Sequence, residues 1–146
     1  MRRTGNRTKR GQAAIELALM SPWILLLFMA VFDFGFYMVA AMSVSNATRA
    51  AALATASTPA SAASQALACR IASSEMNWLP NASSFVNGCG SGPLVVTAAA
   101  VAAVDDNTRT ATRVRVTYQT IQLFPLPFLM GRMNLTRQAE MRVYGF

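Results

Sequence analysis

The sequence predicts an α+β fold: a long N-terminal transmembrane helix acting as a pilin-like stalk, a second helix, and a small three-stranded antiparallel sheet. Three observations carry this expectation. Residues 17–44 are apolar apart from one acid, the alanine-rich stretch that follows has the composition of a helix, and the last third of the chain alternates apolar and polar residues between turn signals. The chain divides accordingly into a basic leader (1–11), a membrane helix with its outward extension (12–57) and an α+β domain (58–146).

Composition excludes several classes. Of 146 residues, 53% are hydrophobic and 13% charged, about half the charged fraction of ordinary soluble proteins. The net charge of +7 is concentrated at one end, because Arg2, Arg3, Arg7, Lys9 and Arg10 precede the apolar run, leaving eight basic and six acidic residues in the rest. The positive-inside bias then keeps the N-terminus in the cytoplasm and sends the remainder across the membrane. A cleaved secretory signal is the competing reading. It requires a shorter core, and the nearest small-residue cleavage candidates lie far downstream, within residues 50–56.

There is no histidine, and Lys9 is the only lysine, so most routes to a catalytic base or activated nucleophile are missing. No enzyme activity, cofactor, metal or small-molecule substrate is expected. Cys69 and Cys89 cannot complete a four-ligand zinc site without further ligands, and no basic-aromatic surface suggests nucleic acid. A tethered enzyme would have only Glu75, Asp105, Asp106 and Glu140 outside the membrane segment, and the adjacent aspartates fit a solvated turn.

As a helix, residues 17–44 measure about 42 Å against about 30 Å of hydrocarbon, so the outer end should protrude. Pro22 has no N–H for the carbonyl of Ala18, which predicts a bend. Asp33 should approach the outer interface and be solvated there, a subunit contact being the alternative. Residues 45–57 continue the helix, their alanines permitting close packing. Thr58 and Pro59 then read as the N-cap and first position of a second helix running to about Trp78, with Ala63, Leu67, Ile71, Ser74 and Trp78 on its packing face. The glycines, serines and Asn81 of residues 80–93 read as a loop.

Cys69 and Cys89 fall on the oxidising side, which favours a disulfide; two free thiols are the other state that spacing leaves open. Strands are expected at 94–104, whose alanines also allow helix, and at 113–119 and 135–144. Val114, Val116 and Tyr118 face inward, Ala139, Met141 and Val143 share one side of the last strand, and Asp105-Asp106-Asn107 supplies a turn. The connection before the last strand, with Phe124, Leu126, Phe128 and Leu129 broken by prolines, is too apolar to be left in water. It either folds back onto the domain or forms a partner surface. Asn46, Asn81 and Asn134 match a glycosylation triplet that is common by chance, and nothing is assigned to them.

The stretch Lys9-Arg10-Gly11-Gln12-Ala13-Ala14-Ile15-Glu16-Leu17 resembles a type IV prepilin leader. The wider set of Gly11 through Pro22, Asp33-Phe34-Gly35 and Asn46-Ala47-Thr48-Arg49 is similar to the TadE-like pseudopilins of tight-adherence pilus systems. The chain departs from the family where Ala50-Ala51-Ala52 follow that last motif. The resemblance implies leader cleavage between Gly11 and Gln12 by a prepilin peptidase, and packing among other pilins and an inner-membrane platform. It also implies an inner-membrane location with a periplasmic domain. Glu16 then stands one helical turn from the new α-amine of Gln12 and can pair with it or with a neighbour's. The alternatives are a solvated Glu16 in the headgroup zone and a chain that is never cut, serving as an anchored assembly or adhesion factor.

Overall fold

A computed structural model describes residues 6–85, 89–90, 92–103, 109–124 and 131–144, with side chains described from Gly11 onward. Helix α1, Asn6–Thr55, is a single unbroken element of 50 residues, about 75 Å long. Leucine, alanine and methionine favour this conformation. The end of the helix is marked by Thr55, whose hydroxyl donates back to the carbonyls of Ala51 and Ala52 at 2.9 and 3.1 Å.

Helix α2 spans Gln65–Glu75, with Ser64 as N-cap accepting from the Leu67 amide. The expected start at Pro59 is therefore corrected. Thr58 does accept from the Ser61 amide at 3.2 Å, as a cap would. However, the Ser61 hydroxyl reaches the carbonyls of Thr55 and Thr58 at 3.0 and 2.9 Å, and side-chain bonds of this kind hold the backbone in turns instead of helix. The packing face is corrected too. Ala68, Ala72 and Met76 are buried, one helical turn apart, while Ala63, Ser74 and Trp78 are exposed and Leu67 and Ile71 only half-buried. A short 3-10 turn at Ala82–Phe85 lies within the expected loop.

Strands β1 (Leu94–Ala102), β2 (Thr110–Gln119) and β3 (Asn134–Arg142) form one antiparallel sheet in sequence order. Val96 opposes Val116, Ala98 opposes Val114, and Val114 in turn opposes Ala139. Alternation puts Val114, Val116 and Tyr118 on the inner face, where all are fully buried, with Leu135, Ala139 and Met141 packed against them from β3. The outer face is a polar ladder: Arg113 pairs with Glu140 at 3.0 Å, Arg115 donates to Gln138 at 3.0 Å, and Thr117 meets Thr136 at 3.0 Å. The turn expected at residues 105–107 lies outside the described residues.

The core is the wedge where both helices meet the sheet. Ala40, Val44, Ala47, Ala51 and Ala52 of α1 close against Met76, Leu94, Val96 and Tyr118. Alanines on the stalk bring backbones close, and each large side chain buried there contributes about 1.5–3 kcal/mol. At the top, the Thr55 and Thr112 hydroxyls lie 3.0 Å apart and Thr112 donates to the Ala62 carbonyl at 2.7 Å. These bonds join α1, the turn segment and β2.

Candidate membrane and assembly site

The functional features lie along α1, which changes character at Asp33. None of residues 11–32 is buried. These 22 residues measure about 33 Å, close to the hydrocarbon thickness of about 30 Å. From Asp33 onward, Tyr37, Ala40, Val44, Ala47, Thr48, Ala51 and Thr55 form a buried stripe at helical spacing. The rod is thus bare over a bilayer's length and covered by the α+β domain beyond it.

At the bare end, Gly11 sits inside the helix, and a Cβ there would meet nothing within 4 Å. No packing contact asks for glycine, although glycine weakens a helix by about 0.5–1 kcal/mol relative to alanine. One position on, the Gln12 amide donates to the Glu16 carboxylate at 3.3 Å. Among the described residues this neutral amide is the partner of the acid. The same spacing places any charge on the Gln12 backbone nitrogen one turn from Glu16.

Pro22 does not break the helix. The Ser21 hydroxyl donates to the Ala18 carbonyl at 3.1 Å, the acceptor that a proline nitrogen cannot serve. Sequence reasoning identified the orphaned carbonyl and missed the adjacent hydroxyl that satisfies it.

The expectation of a solvated Asp33 is corrected. Asp33 is 2% exposed, and its Oδ1 has no hydrogen-bond partner among the described residues. One turn above, the buried Tyr37 donates to the Gly131 carbonyl at 2.6 Å. This tether places Gly131, shortly before β3, beside the stalk. Phe124, in the connection between β2 and β3, is half-buried; Leu126, Phe128 and Leu129 lie outside the described residues. Tyr37 was not singled out in the sequence, where it merges into the apolar run.

In the outer domain Cys69 and Cys89 form a disulfide with Cα atoms 5.6 Å apart, fastening α2 to the segment before β1. Burial pushes the Tyr118 phenol above its ordinary value, an effect opposed by its hydrogen bond to Asn81, whose Oδ1 accepts from the phenol at 2.7 Å. Among the described residues no group of three or more His, Cys, Asp or Glu side chains is placed to hold a metal.

Fold and site together define a class: a small α+β domain carried on a helix long and apolar enough to cross a membrane. Residues 11–53 match the family described as TadE-like protein, so this stretch of α1 is similar to that family. The match covers the bare rod and nearly all of its covered continuation. No curated protein and no solved structure matches the chain.

Proposed function

We propose that this chain is a minor pilin or pseudopilin, or an assembly factor, of a Tad-type adhesive pilus. Residues 11–32 anchor it in the bacterial inner membrane, with the basic leader cytoplasmic and the α+β domain periplasmic. Its TadE-like segment supports a pilus-related role. The observation that carries the reading is a bare, apolar stretch of α1 over residues 11–32, about a bilayer's thickness, holding at Gly11 a glycine whose Cβ position meets nothing within 4 Å.

In this reading a prepilin peptidase adds water across the Gly11–Gln12 bond. Gly11 leaves with a carboxylate and Gln12 gains an ammonium. Glu16, held until then by a neutral amide, acquires an opposite charge one turn away. A lone carboxylate costs about 2.5–3.5 kcal/mol at the membrane centre and less near an interface. Pairing with its own amine or that of a neighbouring pilin offsets this cost and favours lateral packing of helices on the inner-membrane platform. The chain's work is structural, not catalytic.

N-terminal sequencing of protein extracted from membranes tests the reading: a start at Gln12 is expected. Gly11→Trp should retain the leader, and Glu16→Ala should be cut normally but lose pilus display. A native chain that keeps its leader while pili assemble normally refutes it. One observation favours the second reading, an uncleaved anchored assembly or adhesion factor. Helix α1 runs through Gly11 without interruption, whereas a peptidase needs an extended strand.

A further inference from the structure

The outer face of α2 has no place in the anchoring scheme, yet it holds a concentration of unused polar groups. A cavity of about 320 Å³ is lined by Arg70, Ser73, Ser74, Asn77, Ala82 and Phe85. A second, of about 280 Å³, is lined by Ala66, Leu67 and Arg70. Arg70 belongs to both, and none of these lining residues is acidic. Among the described residues the Arg70 guanidinium has no carboxylate or other hydrogen-bond partner.

The rim has a definite hydrogen-bonding character. Ser73 donates its hydroxyl proton to the Arg70 carbonyl at 3.0 Å, and Ser74 donates to that of Ile71 at 2.8 Å. Both hydroxyls therefore face a ligand as acceptors, Asn77 offers an amide with both functions, and Arg70 offers only donors. A sulfate would satisfy Arg70 and meet two acceptors with nothing to give, and a phosphate has at most one or two hydroxyls to offer them. A ligand with one carboxylate and several hydroxyls satisfies the whole set, with the carboxylate on the arginine fork.

The apolar surface agrees. Phe85 is 5% exposed and held edge-on against the Tyr118 ring, which gives the cavity a fixed wall. Trp78 follows Asn77 in the chain and is 51% exposed, in a position where burial was expected from the sequence. A half-exposed indole next in the chain to a cavity-lining residue is available to the C–H face of a sugar ring, apolar at one end and wet at the other. The disulfide at Cys69 fixes the backbone next to Arg70, and each cavity is of a size for about one ring, at the lower end of ligand-site volumes.

We propose that the outer face of α2, centred on Arg70 with Ser73, Ser74, Asn77 and Trp78, is a binding site for a carboxylate-bearing sugar. The acid group sits on Arg70 between the two cavities. The site stands on the outer domain's geometry and does not depend on leader cleavage, so a failure of either reading leaves the other testable.

The experiment titrates the full chain in detergent micelles with methyl β-glucuronide and, separately, N-acetylneuraminic acid. Methyl β-glucoside serves as the neutral isostere and acetate as the bare carboxylate. Saturable binding of either acidic sugar supports the site, the pair distinguishing hexuronate from sialate. The glucoside and acetate should each bind at least about tenfold more weakly than the preferred acidic sugar, a factor worth about 1.4 kcal/mol. Arg70→Ala and Trp78→Ala should each weaken binding of that sugar by about tenfold or more. Arg115→Ala, on the far sheet face, should leave it unchanged, with thermal unfolding confirming that all three variants fold. Absence of saturation by both acidic sugars, acetate binding equal to theirs, or Arg70→Ala without effect would each overturn the proposal.

Discussion

The Tyr37 hydroxyl donates to the Gly131 carbonyl at 2.6 Å across ninety-four positions of sequence. The bond links the stalk, just above the point where it emerges bare, to the connection between the last two strands. Thr120 and Met133 close the neck of that connection, the Thr120 amide donating to the Met133 carbonyl at 2.9 Å and the Met133 amide to the Thr120 hydroxyl at 2.9 Å.

Replacing Tyr37 by phenylalanine keeps the ring against Phe36 and removes the hydroxyl. A net loss of about 1 kcal/mol is expected. Because the tether is local, the effect should appear as about fivefold faster hydrogen exchange at the amides of residues 131–133, with the β1–β2 ladder unaffected. Uniform acceleration across the sheet would show that the bond supports global and not local stability.

The Cys69–Cys89 bridge closes a loop with a sequence separation of 20. In the chain-entropy account such a closure stabilises the fold by about 3 kcal/mol. The paired Cys69→Ala and Cys89→Ala variant should therefore melt about 10–20 °C lower than the parent in the same detergent. Reduction of the parent by dithiothreitol should reproduce the shift, and should not alter the variant.

Tyr118 gives the outer domain a sensitivity to alkali. Its folded-state pKa lies above the ordinary value because burial disfavours the phenolate, the hydrogen bond to Asn81 acting the other way. Below about pH 10, the ordinary phenol value, both folded and unfolded chains keep the proton and the contribution is complete. As pH rises from there towards the folded pKa, the unfolded chain releases its proton first and stability falls. Melting temperatures measured from pH 8 to pH 11 should decline at the alkaline end, and Tyr118→Phe should flatten that decline while starting lower because Asn81 loses its donor.

The sheet was readable because its side chains alternate: Val114, Val116 and Tyr118 can face the core together only as a strand, and their polar neighbours then fall on the other side. The long apolar helix was readable for a comparable reason, its length and apolarity being local properties. The packing face of α2 was not. Ala63, Ala66, Ala68 and Ala72 are chemically alike, so composition does not say which of them lie inside; Met76 and the bond network around Ser61 decide it. Asp33 was misread because burial on one side of a helix is set by tertiary packing, which the local apolar pattern does not report. The Ser21 contact to Ala18 was visible in principle, since a hydroxyl beside a mid-helix proline is a recognised means of satisfying the freed carbonyl.

The unbroken run of α1 from Asn6 to Thr55 means that no joint separates the portion suited to lipid from the portion wrapped by the sheet. The outer domain accordingly rides at a set height and azimuth, like a vane keyed to a shaft. A displacement or rotation imposed on residues 11–32 is therefore carried along one continuous helix to the residues that pack against the sheet.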